Sequence, residues 1–313
     1  MREIDIYQVD AFTDVPFGGN PAGVVPDASG LSEDTMQKIA REMNLSETAF
    51  VVDTRGKGPA DFDVRFFAPL NEVDLCGHAT IGAFWLLAET GVIPPGKNEV
   101  RVTQSTGAGV LPVDIVFGCE GTPARVMMTQ VPPRRLGELS LDEIAELERI
   151  LGAPQGSILG FERARPQIVS TGLPDLIAPV SSREALLSMR PNMAALTDFC
   201  NQRKVISVHC FSMETLDPRA TVHCRDFSPA VGIPEESATG TASGATGGFL
   251  VMNGLIPLEE PVTRIICEQG HVMRRPSVIQ VEIHMAHEDP QSILSVRVGG
   301  SAATVIKGKI RIP

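Results

Sequence analysis

The sequence predicts an α+β protein of two similar domains, each a curled, barrel-like sheet around one central buried helix. Three observations predict it. First, residues 74–91 (DLCGHATIGAFWLLAETG) hold no polar residue from Ile81 to Ala88. A helix that is apolar all round is enclosed by protein, and this one is too short for a bilayer, which takes about 20 apolar residues. Second, the pattern returns. Thr239-Gly240-Thr241-Ala242-Ser243 aligns with Cys76-Gly77-His78-Ala79-Thr80, and a run of apolar and small residues follows it to Met252. Upstream, Arg65-x-Phe67-x-Pro69 matches Arg225-x-Phe227-x-Pro229, while Glu72 and Glu235 each stand four residues before the helix entry. Similarity in one order at this spacing points to two related halves. Third, strand signals outnumber helix signals in the remainder, as in sheet-rich α+β chains.

In chain order, 4–12 alternates as a strand, Gly18-Gly19-Asn20-Pro21 turns, and 22–25 is a second strand. Residues 35–43 form an amphipathic helix with Met36, Ile39, Ala40 and Met43 on one face. Residues 44–52 leave that helix and enter a strand, 63–67 is another, and the first buried helix follows, stopped by Gly91. Strands come next at 99–103, 109–116 and 125–129, with Pro132-Pro133 as a boundary. Ser140-Leu141-Asp142-Glu143 is a capping box opening a helix with Ile144, Leu147 and Ile150 on its apolar face, ended by Gly152. Short helices at 181–190 and 193–200 precede strands at 205–211 and 220–227, then the second buried helix, stopped at Asn253-Gly254. Strands at 263–268, 277–283, 295–298 and 303–312 close the chain. The first domain is drawn at 1–120 plus 301–313, the second at 121–300.

With 313 residues the chain is long enough for two domains. A net charge of −11 without any basic run argues against a nucleic-acid partner. The opening residues MREIDIYQVDAF lack the apolar core of a signal peptide, and no membrane span is expected. Six cysteines without regular spacing or a CxxC pair read as reduced thiols, so the expected location is cytoplasmic. Glycine-rich pieces such as Thr106-Gly107-Ala108-Gly109 match no nucleotide fingerprint, so no cofactor is expected.

The amino end of a buried helix is a natural place for chemistry, because its free N–H groups and dipole favour an anion. If the halves face each other, two such ends converge on one ligand. Glu47 lies between Leu45 and Ala49-Phe50-Val51-Val52, where it is either an acid/base among apolar neighbours or a helix-end glutamate pointing to water. His78 is an acid, base or hydrogen-bond donor at the helix entry, or a packed capping histidine. Cys76 is an activated thiol or a small buried residue. A two-thiol racemase calls for a second cysteine where Thr239 stands, which argues against paired thiols. Glu235-Glu236 either complement the dipole of the second helix or place one carboxylate on His78 or on substrate. Thr241, the counterpart of His78, offers a hydroxyl and an amide. His209-Cys210 and His223-Cys224 resemble metal ligands, but strand neighbours point to opposite faces, so a structural hairpin is expected. His271, His284 and His287 have no supporting ligands, and no metal is expected.

Taken together, several motifs resemble those of the phenazine-biosynthesis isomerase (PhzF-like) family in the diaminopimelate epimerase superfamily, nearly end to end. They are Val9-Asp10-Ala11-Phe12-Thr13, Phe17-Gly18-Gly19-Asn20-Pro21, Asn44-Leu45-Ser46-Glu47-Thr48, Cys76-Gly77-His78-Ala79-Thr80, Ala238-Thr239-Gly240-Thr241-Ala242, Glu268-Gln269-Gly270, Arg275-Pro276-Ser277 and Val298-Gly299-Gly300. The resemblance implies two barrel-like domains with the active site between them, a homodimer and no cofactor. It also implies Glu47 as the acid/base and His78 as an active-site histidine. At the second helix the family commonly carries aspartate and serine where this chain has Glu236 and Thr241.

The expected function is a cofactor-independent isomerase shifting a proton on a small carboxylated substrate, an amino acid or enamine, with a cyclic amino acid-like one among the candidates. Glu47, His78 and Glu236 are its catalytic residues. Asn20, Cys76, Gly77, Thr239, Gly240 and Thr241 bind the substrate, whose carboxylate rests on the amides of Gly77-His78 and Gly240-Thr241. The alternatives are an amino-acid racemase or epimerase using Cys76, and a non-catalytic small-molecule-binding homologue.

Overall fold

The computed structural model describes residues 2–158, 164–286 and 292–312; His287 lies outside them. The chain divides into two compact units, Met1–Thr129 with Gly299–Pro313, and Gln130–Val298.

The first unit contains β1 (Arg2–Ala11), β2 (Asn20–Val25), α1 (Glu33–Met43), β3 (Thr48–Asp53), β4 (Phe62–Phe67), β5 (Glu72–Val73), α2 (Gly77–Glu89), β6 (Glu99–Thr106), β7 (Gly109–Phe117) and β8 (Pro123–Gln130); β18 (Ala302–Ile312) joins it from the chain end. Ser32 caps α1 by accepting the Thr35 N–H, and Asn44 ends it in the left-handed conformation. Met36, Ile39 and Ala40 then pack α1 into a cluster with Ile4, Ile6, Val25, Phe50 and Phe67. The helix α2 is apolar on every side, and from His78 to Ala88 every residue but the partly exposed Trp85 is buried. It packs against β1, β2, β3, β7 and β18, and Gly91 at φ +77° turns the chain out of it.

The second unit contains β9 (Arg134–Glu138), α3 (Leu141–Leu151), β10 (Gln167–Ser170), β11 (Pro174–Pro179), α4 (Arg183–Ser188), α5 (Met193–Arg203), β12 (Ser207–Ser212), β13 (Val222–Ser228), a 3-10 turn Pro229–Val231, β14 (Ile233–Glu236), α6 (Gly240–Met252), β15 (Val262–Gln269), β16 (Ser277–Met285) and β17 (Ile293–Gly300). Ser140 and Glu143 form the reciprocal capping box that opens α3. α3, α4 and α5 bury Leu147, Leu186 and Phe199 against Leu176 and Val208 of the strands. α6 packs on β10, β11, β12 and β16. Its small residues permit this approach: a Cβ on Gly247 would stand 2.8 Å from Val281 Cγ1.

The two units repeat one pairing scheme. In the first, β2 and β3 are parallel, β3 and β4 antiparallel, β4 and β5 antiparallel, β4 and β6 parallel, and β6 and β7 antiparallel. In the second, β11–β12, β12–β13, β13–β14, β13–β15 and β15–β16 follow the same sequence of directions. Each buried helix is entered after the antiparallel β5 or β14 and spans 13 residues.

The curled, barrel-like sheet expected of each domain is not present. Among the described residues, the mixed sheet of each unit is neither closed nor strongly curled. Closure requires the end strands of a run to pair with each other and the strands to tilt and shear consistently. Alternation along a strand encodes its faces, not the partner of its outermost edge, so sequence periodicity overreached there. No helix of the described residues is long and apolar enough to cross a membrane.

Candidate active site

In the first unit, three of the expected site residues come together. Glu47 sits between the left-handed cap Asn44 and the start of β3, and its carbonyl accepts the Gly23 N–H at 3.0 Å. Its carboxylate is mostly covered, at 13% side-chain exposure, so its contacts are with protein. Cys76 is the N-cap of α2, in extended conformation, and its side chain makes no cap hydrogen bond. The Thr80 hydroxyl and amide both bind the Cys76 carbonyl, at 2.8 and 3.0 Å, which fixes the cap. The thiol is thereby left to the site: Sγ donates to Glu47 Oε2 at 3.4 Å and lies 3.4 Å from His78 Nδ1. His78 Nε2 stands 3.3 Å from the same Glu47 oxygen. Burial pushes the His78 imidazole below its ordinary value, against the opposing pull of the Glu47 carboxylate. A neutral ring donates from one nitrogen and accepts at the other, so it can pass a proton along the triangle.

Gly77 opens α2 beside this triangle. A Cβ there would meet nothing within 4 Å, so the helix entry is open to an approaching group. The leading N–H groups of a helix have no intrahelical acceptor and attract an anion. Asn20, the first residue of β2, is buried opposite Ala11 in the same unit.

In the second unit, Glu236 and Thr239 come together. The Thr239 hydroxyl donates to Glu236 Oε2 at 3.4 Å. The buried Gln269 binds both: Nε2 donates to the Glu236 carbonyl at 2.9 Å and to Thr239 Oγ1 at 3.2 Å, and Oε1 accepts the Thr239 N–H at 3.4 Å. Gly240 and Thr241 form the first turn of α6, their carbonyls accepting from Gln130 Nε2 at 3.3 Å and the Thr171 hydroxyl at 3.4 Å. Sequence reading placed Gln269 in the Glu268-Gln269-Gly270 motif without a role, and nothing in the residue pattern gave it one. Of the two adjacent glutamates, Glu235 is taken by Arg225, at 2.8 and 2.9 Å.

The two histidine–cysteine pairs lie in the β12–β13 pairing, and each histidine meets a buried acid. His209 Nδ1 is 3.0 Å from Asp226, and His223 Nδ1 is 2.7 Å from Glu268. Burial raises the thiols of Cys210 and Cys224, and pushes Cys200 up to about 12, so none of these is a ready nucleophile.

The family model for the phenazine biosynthesis-like protein matches residues 9–308. An uncharacterized isomerase of Clostridium acetobutylicum is 35% identical over 310 residues, 99% of each chain. A PhzF-family phenazine biosynthesis protein of Bacillus anthracis superposes with a TM-score of 0.87 at 31% identity, covering 100% of both chains. The structure of a predicted epimerase from Pseudomonas aeruginosa superposes with a TM-score of 0.77 at 25% identity, covering 99% of this chain and 100% of that one. With a family model spanning nearly the whole chain and relatives of this similarity along its full length, the chain belongs to the phenazine biosynthesis-like (PhzF-like) family and is an isomerase.

Proposed function

We propose that the chain moves a proton on a carbon of a small carboxylated, cyclic amino acid-like substrate, without a cofactor, at the Glu47–Cys76–His78 triangle. The observation that carries this is one Glu47 oxygen shared by the Cys76 thiol at 3.4 Å and His78 Nε2 at 3.3 Å. Three proton-bearing groups meeting at one oxygen form a carrier that can load and unload at a substrate carbon. The open helix entry at Gly77 suits the substrate carboxylate. Glu236, Thr239, Gly240 and Thr241 are proposed as substrate-binding groups at the entry of α6, where the Thr239 hydroxyl donates to Glu236.

Two assignments of the carrier follow. In the first, Glu47 takes the proton and returns it to another carbon of a conjugated system. In the second, the enzyme is an amino-acid racemase or epimerase and Cys76 is its base. The likeness to the predicted epimerase of Pseudomonas supports the second, as does a thiol at the helix entry that donates to Glu47 and lies beside His78. Nothing equivalent favours a shift between two carbons. Because Cys76 and Glu47 touch, they cannot stand on opposite faces of one carbon, so an epimerase here draws its second acid from outside the triangle. The reading also carries a homodimer, to be checked by sedimentation, and a reducing cytoplasmic location, which the six free cysteines support.

The test is deuterium uptake from solvent by a panel of small amino-acid carboxylates, followed by proton NMR. Uptake lost in Cys76→Ala and retained in Glu47→Gln assigns the base to Cys76; the reverse assigns it to Glu47. Uptake untouched by both variants overturns the proposed site.

A further inference from the structure

We propose that the Glu47–Cys76–His78 triangle is also a binding site for a borderline-soft divalent cation of the zinc type, and that filling it silences the isomerase. Among the described residues, this is the only group of three His, Cys, Asp or Glu side chains whose ligand atoms all lie within 4.8 Å of one another. Its chemistry is a thiol, an imidazole and a carboxylate, the three ligand types zinc takes.

The spacing decides the matter more sharply than the residue types. A tetrahedral zinc, with sulfur at about 2.3 Å and nitrogen and oxygen at about 2.0 Å, sets S···O and S···N edges of about 3.5 Å and an N···O edge of about 3.3 Å. Here Sγ–Oε2 is 3.4 Å, Nε2–Oε2 is 3.3 Å and Sγ–Nε2 is 4.0 Å. Two edges already match, and the third closes with a shift of about half an ångström. The side chains are held by two elements: Cys76 and His78 by the cap and first turn of α2, Glu47 by its position just before β3. Three protein ligands leave one tetrahedral position for water. On binding, the thiol proton goes to solvent and the cation takes its place on sulfur. The oxygen-preferring cations magnesium and calcium do not suit a sulfur ligand and are excluded.

The binding half of this inference stands on geometry alone, whereas the silencing half rests on the function proposed above. A cation on all three groups ties up the carriers of the moving proton, so turnover and occupancy exclude each other.

The experiment titrates the tag-free, metal-stripped protein with Co²⁺, following the near-ultraviolet thiolate-to-cobalt charge-transfer band, and then displaces the cobalt with Zn²⁺. One equivalent is expected, unaffected by excess Mg²⁺. Cys76→Ala should lose the band, and His78→Ala and Glu47→Gln should bind on the order of tenfold or more weakly. Cys119→Ser, which removes the exposed cysteine, should bind as the wild type does. Absence of the band in the wild-type protein overturns the inference without any variant, and so does a band that survives Cys76→Ala. In the deuterium-uptake assay, stoichiometric Zn²⁺ should stop exchange. Cobalt bound with exchange undiminished overturns the silencing and moves the isomerase site elsewhere, while leaving the cation site in place.

Discussion

His78 Nε2 lies 3.3 Å from Glu47 Oε2, joining a helix entry to the start of a strand 31 residues earlier in the sequence. The ring reaches that oxygen because Cys76 caps α2 in extended conformation and His78 is already inside the first turn. Glu47 reaches it because Asn44, in the left-handed conformation, breaks α1 three residues before. A carboxylate placed by two rigid elements can move a proton without first being ordered.

Glu47→Gln keeps the size of the side chain and a hydrogen-bonding oxygen but cannot accept the proton. If Glu47 is the carrier, deuterium uptake should fall by about 10²–10⁴-fold, while thermal stability changes little. A variant with wild-type uptake removes Glu47 from the chemistry and leaves Cys76 as the candidate.

The buried His78 sets a direction for stability against pH. The unfolded chain binds this proton near the ordinary value of about 6.5, whereas the folded chain binds it only at lower pH, because burial disfavours the charged ring. Between those two values the unfolded state holds more protons, so stability rises with pH across the window. The contribution is complete above about pH 6.5 and is lost as pH falls toward the folded value. His271 shifts in the same direction, through burial first and its neighbour His223 second. Urea midpoints measured from about pH 5 to about pH 8 should therefore slope less steeply in His78→Gln than in the wild type. Equal slopes would mean that His78 binds its proton as readily in the folded chain as in the unfolded one.

Two glycines in the buried helices should respond oppositely to alanine. Exchanging a helical glycine for alanine gains about 1 kcal/mol in backbone entropy. On Gly82 the new Cβ stands 3.4 Å from Val9 Cβ and 3.6 Å from Ala22 Cβ, ordinary contacts, so Gly82→Ala should stabilise. On Gly247 it stands 2.8 Å from Val281 Cγ1, 3.2 Å from Ile283 Cδ1 and 3.3 Å from Ile265 Cδ1, all core side chains. Overpacking of this kind costs about 1–3 kcal/mol, which outweighs the gain. Denaturant unfolding of both variants checks the pair, and a stabilised Gly247→Ala would show that β15 and β16 yield more easily than a packed core should.

Much of this was legible in the chain, and the exceptions have physical causes. Both buried helices stood out because an apolar run admits no exposed face, and the capping box at Ser140 and Glu143 forms as its spacing required. The strands β9, β10 and β11 went unread. β9 carries two arginines and a glutamate and is largely exposed, β10 is four residues long, and β11 begins and ends in proline. The meeting of Glu47, Cys76 and His78 was legible only through motifs, since no periodicity brings residue 47 to residue 76. Gln269 was invisible as a site residue because its role depends on bonds to Glu236 and Thr239, about 30 residues away in sequence.

The repeated Arg–Glu pairs give a last prediction, in which burial and a second carboxylate separate two equivalents. Arg65 grips Glu72 at 2.6 Å through Nε and Nη2, and Arg225 grips Glu235 at 2.8 and 2.9 Å in the same fork. The first pair is 31% and 39% exposed, and its arginine has a second carboxylate in Glu33 at 2.9 Å. The second is 5% and 17% exposed. Water screens the first and leaves Arg65 a partner when Glu72 is neutralised, so Glu72→Gln should cost about 0–1 kcal/mol. Glu235→Gln strands a covered guanidinium whose remaining partners are the carbonyls of Leu186 and Met189, at 3.1 and 3.0 Å. Losing one member of a buried pair costs about 3–5 kcal/mol, and the retained carbonyls and the amide oxygen place this variant toward the lower end. Urea unfolding of the two variants should separate them by about 2 kcal/mol or more, Glu235→Gln being the weaker; equal losses would mean that Arg225 finds solvent when its partner is neutralised.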